Sequence, residues 1–435
     1  MELAEVRLWG RRIGAVSQAD DAGHATFQYD PRFVGSGIEI APLTLPLARA
    51  PYAFPDLPQR SFHGLPGLLA DSLPDDFGNA LIDAWLARQG RRPEDFRPVE
   101  RLCYVGSRGM GALEFRPSVG PEPTRTRALE VDALVDLASR ILSRREDLSV
   151  SVASGDEEEA LTELLRVGSS AGGARAKALI AWNPETREVR SGQIDAGSGF
   201  EHWILKFDGV ASPSDERLAN PMGYGAIEYA YSRMAREAGI AMTDCRILEE
   251  NERRHFMTRR FDRTADGGKL HMLSLGAIAH LDYNAPGAHG YEQALLTIRS
   301  LGMGMDAVEE QFRRMVFNVL ARNQDDHVKN IAFLMDKAGR WSLAPAFDVI
   351  FAFNPSGEWT ARHQMTVNGK RQGFTLADFE AVARAASMKR GRAAAIHEEV
   401  REAVSRWRAF AEEADVGERR AERIGEALRL ELPAG

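Results

Sequence analysis

Apolar and polar residues alternate through "EVRLWGRRIGAVSQ" and "HATFQYD" near the start of the chain, the period of half-buried strands. Gly10, Gly14 and Gly23 stand at turn positions, so a β-hairpin or meander is predicted. The period then lengthens. "ADSLPDDFGNALIDAWLARQG" puts Leu81, Trp85 and Leu86 on one helical face and offers Gly90 as a C-cap. "GALEFRP" closes the segment as a short strand. "PSVGPEPTRTR" (117–127) is rich in Pro and Thr and carries no apolar period, which reads as a linker.

Beyond residue 128 the pattern is α+β. "ALEVDALVDLASRIL" is an amphipathic helix, and "KALIAWN" and "HWILKFD" are strands with turn-rich sequence between them. "YGAIEYAYSRMAREAGI" is a helix ended by Gly239, and "RRHFMTRRFDR" is another strand. After about 270 helices dominate, apart from "NIAFLMDKAGRWSLAPAFDV", a hairpin or two short strands. "TLADFEAVARAASM" and "AAAIHEEVREAVSRWRAFAEEA" each read as one amphipathic helix. The expected divisions are 1–116, the linker 117–127, a strand-rich region 128–265 and a helical region 266–435. A strand-rich part followed by a helical one suggests two lobes with a cleft between them.

Composition narrows the class without changing this outline. A 44% hydrophobic and 27% charged chain of 435 residues has the balance of a globular protein with a sizeable core. The net charge of −8 argues against non-specific coating of nucleic acid, although "MKRGR" (388–392) is a local basic stretch. Cys103 and Cys245 alone allow neither a disulfide framework nor a four-cysteine zinc site. No apolar run approaches the roughly 18 to 20 residues of a membrane span, and the first residues lack a signal peptide's regions. A cytoplasmic protein without a membrane partner is expected.

The chemistry gathers in "RNQDDHVKN" (322–330), between an apolar helix and a strand. Asp325 precedes Asn330 by five positions, the spacing of a protein-kinase catalytic loop, and Asp348 follows in "APAFDV". Phosphoryl transfer needs such a set: one carboxylate for the attacking hydroxyl, and an amide oxygen and second carboxylate for Mg²⁺. Lys329 adds positive charge. A polar loop gives the same spacing by chance, and Asp326 with His327 suggests a metal hydrolase, although no second His cluster has ligand spacing. Lys206 in "HWILKFD" reads as an edge residue reaching solvent or as a phosphate-gripping lysine, with Glu228 either its partner or a surface glutamate. "RVGSSAGGARAKALIAW" (166–182) offers small residues and cations for an anion, without the Gly-Lys-Ser/Thr of a Walker A loop.

Taken in order, "SSAGGARAK", "ILKFD", "RRFDR", "NQDDHVKN" and "LAPAFDV" resemble the HipA family of bacterial serine/threonine kinase toxins. "FHGLPGLLADSLPDDFGNALI" and "GSRGMGALEF" look like that family's N-terminal subdomain, and "MTVNGKRQGFTLADF" like its C-terminal core. The resemblance implies an α+β, protein-kinase-like two-lobed fold, with a β-rich N-terminal subdomain and a mostly helical C-terminal lobe. It implies ATP and Mg²⁺ as cofactors and phosphorylation of a protein serine or threonine, an aminoacyl-tRNA synthetase in characterised relatives. A helix-turn-helix antitoxin of the HipB kind is the implied partner, with DNA met only through that complex.

Carried over by motif, Asp325 is the implied catalytic base, and Asn330 and Asp348 the implied Mg²⁺ ligands. His327, Val328, Lys329 and Phe347 would join the nucleotide site. Gly172, Gly173, Ala174, Arg175, Ala176 and Lys177 would form the phosphate loop, and Lys206 would hold the α/β-phosphates. The backbone of Arg259, Arg260 and Phe261 would meet the adenine. Ser170, or Ser169 beside it, matches the serine that the family autophosphorylates. Two positions depart from the pattern: Asp326, where a small residue is common, and Arg259, where some relatives carry an acid. A small-molecule kinase of the aminoglycoside or lipid type and a non-catalytic pseudokinase co-regulator are the rival readings. The loop "SSAGGARAK" and the N-terminal subdomain speak against the former, and the retained Lys206, Asp325, Asn330 and Asp348 against the latter.

Overall fold

The structure is a computed structural model and describes residues 2–119, 129, 131–143, 175–193, 196–210, 222–264 and 266–435. The chain divides into two compact units. One comprises Met1–Ala41, Leu45–Met222 and Arg246–Met272, the other Pro42–Thr44, Gly223–Cys245 and Leu273–Gly435.

In the first unit the predicted meander is present. β1 (Glu2–Leu8), β2 (Arg11–Gln18), β3 (Thr26–Tyr29), β4 (Tyr52–Ala53) and β5 (Leu113–Arg116) form a sheet in the order β4-β3-β2-β1-β5. Alternation decides which face is buried: Ala4, Val6 and Leu8 are inside, and their intervening neighbours are not. The β1–β2 turn requires left-handed backbone at Trp9 (φ 49°) and Gly10 (φ 76°).

A second antiparallel sheet contains β6 (Lys177–Trp182), β7 (Val189–Ser191), β8 (Glu201–Lys206), β9 (Cys245–Glu250) and β10 (Arg253–Arg259), ordered β7-β6-β8-β10-β9. Against it pack the helices Asp76–Arg88 and Val131–Ser143. Phe77, Leu81, Leu86, Leu134 and Val135 share one core with Ala178, Ile180, Trp203, Leu205 and Met257. The helix of the expected first domain therefore completes the core of the second sheet, because the apolar faces of both need covering. Of the linker, residues 120–127 lie outside the described residues.

The second unit is mostly helical. Its helices include Tyr224–Glu237, Tyr291–Ser300, Met305–Leu320, Leu376–Ala385, Arg392–Ser405, Trp407–Glu413 and Glu418–Ala427. β11 (His271–Ser274), β12 (Ala332–Met335) and β13 (Trp341–Leu343) form a small sheet. The single helix expected across 393–414 is two, capped at Arg406. The break turns Trp407 onto Tyr231, ring centroids 5.2 Å apart, a contact that helical periodicity does not encode. Among the described residues no helix is long and apolar enough to cross a membrane.

Candidate active site

The helix Met305–Leu320 buries Phe312, Met315, Val316 and Phe317 and ends at Ala321, where Arg322 takes a left-handed conformation (φ 55°). That reversal starts the polar loop. Arg322 O accepts from Ala352 N at 3.0 Å, and Gln324 N donates to Ala352 O at 3.1 Å, which ties the loop to the segment after Asp348. A single 3₁₀ turn, Val328–Asn330, then leads into β12.

Asn330 folds back across this turn. Its Nδ2 donates to the carbonyl of Asp325 at 2.8 Å, which leaves the amide oxygen for a cation. Asn330 and Asp348 line one cavity with Asn323, His327 and Phe347. Asp348 adopts φ 56°, a left-handed conformation that a non-glycine residue holds only where its surroundings enforce it, a pattern concentrated at functional sites. Asp325 is half-buried, and its Oδ1 accepts the indole N–H of Trp359 at 2.7 Å. The Lys329 ammonium rests 4.6 Å from the Tyr283 ring centroid. Val328 is buried, so only its backbone is left to meet a ligand.

The two adjacent acids have different surroundings. Asp326 is 3% exposed, and both its oxygens have partners. Oδ2 accepts from Tyr291 Oη at 2.7 Å and lies 2.8 Å from His363 Nδ1, and Oδ1 accepts from Gln364 N at 2.7 Å. Burial pushes this carboxyl up, but His363, Tyr291 and the Gln364 N–H outweigh it and hold the group below the ordinary carboxylate range. The other imidazole nitrogen, His363 Nε2, lies 2.9 Å from Arg429 Nη1. A guanidinium only donates, so Nε2 accepts and Nδ1 carries the proton given to Asp326. Arg429 also donates to Gln324 Oε1 at 2.8 Å and to Val319 O at 3.2 Å. The departure at position 326 is thus a buried anchor for the loop.

The first unit carries the remaining expected residues. β8 is the central strand of its sheet, so Lys206 is not an edge residue. Its register partners are Lys177 on β6 and Phe256 on β10, and its ammonium lies 5.8 Å from the Phe256 ring centroid. Lys177 is buried in an ion pair with Asp75, the N-cap of the helix Asp76–Arg88, at 3.1 Å. Two lysines directly opposite repel, and the Asp75 carboxylate balances one of them. Ala176 is buried, and Arg175 half-buried. Ser169, Ser170, Gly172, Gly173 and Ala174 lie outside the described residues. Glu228, in the second unit, is 1% exposed and so is not a surface glutamate.

Around the expected adenine strip, Arg260 N is already bonded to His202 O at 2.9 Å, and Arg259 faces Glu201 at 3.5 Å. The Arg260 side chain is buried against Asp262, Nε–Oδ1 2.9 Å and Nη2–Oδ2 2.7 Å. Arg263 Nη1 and Gly111 N also donate to Asp262, each at 2.7 Å. Burial raises the Asp262 carboxyl, and the two guanidiniums more than reverse this, holding it well below the ordinary range. "RRFDR" is thus anchored to the "GSRGMG" loop of the N-terminal region. Gly111 (φ 74°) is required there, because a Cβ would stand 3.1 Å from Met272 N.

The sequence signals singled out neither Asp75 and Asp262, which pair with expected residues of the first unit, nor Tyr291, Trp359, His363 and Arg429, which surround the polar loop of the second. Asp262 stood in a quoted motif, where an acid among three arginines was the available signal. Arg429 has no local signal, since its partners lie over 60 residues away.

A strand-rich unit bearing a central-strand lysine, and a helical unit bearing a loop with Asp325, Asn330 and Asp348, define the class: the expected α+β, two-lobed, kinase-like fold. Residues 4–116 match the HipA N-terminal domain, and residues 169–407 match the HipA-like C-terminal domain. The chain belongs to the HipA family. Its fold matches a chain of the Shewanella oneidensis MR-1 complex of HipA, HipB and operator DNA, with TM-score 0.67 and 15% identity, covering 97% of this chain and 94% of that one. A likeness to the Helicobacter pylori proinflammatory kinase CtkA has TM-score 0.30 and 12% identity, over 52% of this chain and 92% of the other, too low a score to bear on the fold.

Proposed function

We propose that this protein is an ATP- and Mg²⁺-dependent serine/threonine protein kinase, the toxin of a toxin–antitoxin pair. The observation that carries this is the loop geometry: Asn330 bonded to the carbonyl of Asp325, and Asn330 and Asp348 lining one cavity. The donors fit a hard cation, being an amide oxygen and a carboxylate with no thiolate or imidazole required. Among the described residues no three His, Cys, Asp or Glu side chains cluster as metal ligands. Bound ATP and Mg²⁺ supply the transferable phosphoryl group and neutralise its developing charge.

The residues of this chain do the rest. Asp325 accepts the proton of the attacking hydroxyl and orients it. Asn330 and Asp348 hold the cation, while His327, Lys329 and Lys206 counter negative charge on the phosphates. The backbone of Arg259–Phe261 meets the adenine, and Ser170 or Ser169 is the autophosphorylation site. The partner is a HipB-like helix-turn-helix antitoxin, through which the protein meets DNA. The substrate is a protein such as an aminoacyl-tRNA synthetase, reached in the cytoplasm.

Purified protein incubated with radiolabelled ATP and Mg²⁺ should label itself, with phosphate mapping to Ser169 or Ser170 by mass spectrometry. Absence of label overturns the kinase reading, and phosphopeptides only elsewhere overturn the serine assignment. Asp348→Asn is expected to raise the Mg²⁺ concentration needed for half-maximal rate and to lower turnover by about 10²-fold, about 3 kcal/mol. Its induction should no longer arrest growth where the wild type does. Equal arrest by both would remove phosphoryl transfer as the cause.

A further inference from the structure

Trp359 lies outside the short motifs on which the resemblance was first drawn, yet its indole is bonded to the proposed catalytic acid. Nε1 donates to Asp325 Oδ1 at 2.7 Å. An indole N–H is a donor only, so the bond runs one way. The χ2 torsion of an aspartate is broad, so a half-buried carboxylate on a loop needs an external partner to fix its plane.

The backbone presenting Trp359 is itself held. Gln324 Nε2 donates to Thr360 O at 2.9 Å, and the Gln364 side-chain amide donates to Trp359 O and, at 3.2 Å, to Arg362 O. His363 and the Gln364 N–H grip Asp326, and Arg429 braces His363 from the other side of its ring. One six-residue segment, 359–364, therefore contacts both adjacent acids of the loop. Its contact with Asp326 is buried and fixes the segment, and its contact with Asp325 is half-buried and aims a carboxylate. Mere satisfaction of an indole N–H would be met by any nearby carbonyl. Here the acceptor is the side chain whose orientation the chemistry depends on.

We propose that Trp359 is a positioning residue for phosphoryl transfer, setting the plane of the Asp325 carboxylate through the Nε1–Oδ1 bond. This rests on the reading of Asp325 as the base. Misaligning a reacting group by about 1 Å costs about 10²-fold in rate, which bounds the effect.

The test uses the full chain, radiolabelled ATP and Mg²⁺, and Trp359→Phe, which keeps an aromatic ring and removes the N–H. A second protein carrying 3-benzothienylalanine at 359 keeps the bicyclic shape and replaces N–H by sulfur, so it separates a lost bond from lost packing. Both are expected to lower kcat roughly 10- to 100-fold, with KM for ATP and the stoichiometry of bound ATP per chain unchanged. Wild-type kcat in the benzothienyl protein, or a loss confined to KM or to the binding-competent fraction, overturns the proposal. Asp325→Asn is measured alongside. If it is inactive while the benzothienyl protein is fully active, Trp359 is not a positioning residue and the assignment of Asp325 stands. If Asp325→Asn keeps the wild-type rate, the base assignment itself falls, and the role of Trp359 with it.

Discussion

Asp325→Asn is expected to slow phosphoryl transfer by about 10²- to 10⁴-fold, the usual range for a lost general base. The substitution is close to isosteric, and the surroundings tolerate it. The Asn330 bond is made to the backbone carbonyl of residue 325, so it survives the change. The Trp359 indole still finds an amide oxygen where it found a carboxylate. Asn330 and Asp348 are untouched, so the variant is expected to bind ATP and Mg²⁺ as the wild type is proposed to, with the same rise in thermal transition for both proteins. Loss of rate with retained binding identifies a group acting on the reaction. Loss of both would make Asp325 a structural residue, and loss of neither would remove it from the site.

A comparable effect, on stability, is expected from Asp262→Asn. The two guanidiniums it balances are buried, with Arg260 and Asp262 side chains at 0% and Arg263 at 9% exposure. Removing one partner of a buried ionic cluster leaves uncompensated charge, and such changes cost about 3–5 kcal/mol. The variant's transition should fall by about 10 °C, taking roughly 2–4 °C per kcal/mol. Asp95→Asn, which breaks the exposed Arg92–Asp95 pair, serves as the control and should change little.

The pH dependence has a definite sign. Asp262 is held below its ordinary value in the folded state, so its contribution is present above the unfolded carboxylate range near pH 4. It is lost as pH falls below that range, toward the folded value. Wild-type stability should therefore decline below about pH 4 more steeply than that of Asp262→Asn. Parallel acid profiles, or an unaltered transition in the variant, would show that the cluster contributes nothing net.

The two acids side by side in "NQDDHVKN" illustrate how far sequence carries. Spacing to Asn330 singles out Asp325, but Asp326 has no spacing that explains it. Its reason is a buried set of partners at positions 291, 363 and 364, with Arg429 behind. Lys206 shows the same limit. Its strand was legible from period 2, and whether that strand lay at an edge or in the centre was not, because strand order depends on pairings such as Lys206 with Phe256, 50 residues away. Lys177 is a third case: its cation was visible, and its partner Asp75 belongs to a helix read as part of another domain. The helical period across 393–414 does not show the break at Arg406, after which Trp407 packs on Tyr231 of a distant helix.

By itself the sequence determined what short-range physics and motif order can carry: the strands, most helices, the α+β class and the family likeness, and it supplied Asp325, Asn330 and Asp348 as the proposed reactive set. Only the tertiary structure decided which acid is the anchor, that Trp359 holds the other, that Asp262 ties "RRFDR" to the "GSRGMG" loop, and that the N-terminal helix completes the second sheet's core. The physical reason is one of range. Periodicity and capping act over a few residues, whereas a buried charge or an apolar face is satisfied by whatever group the fold brings beside it.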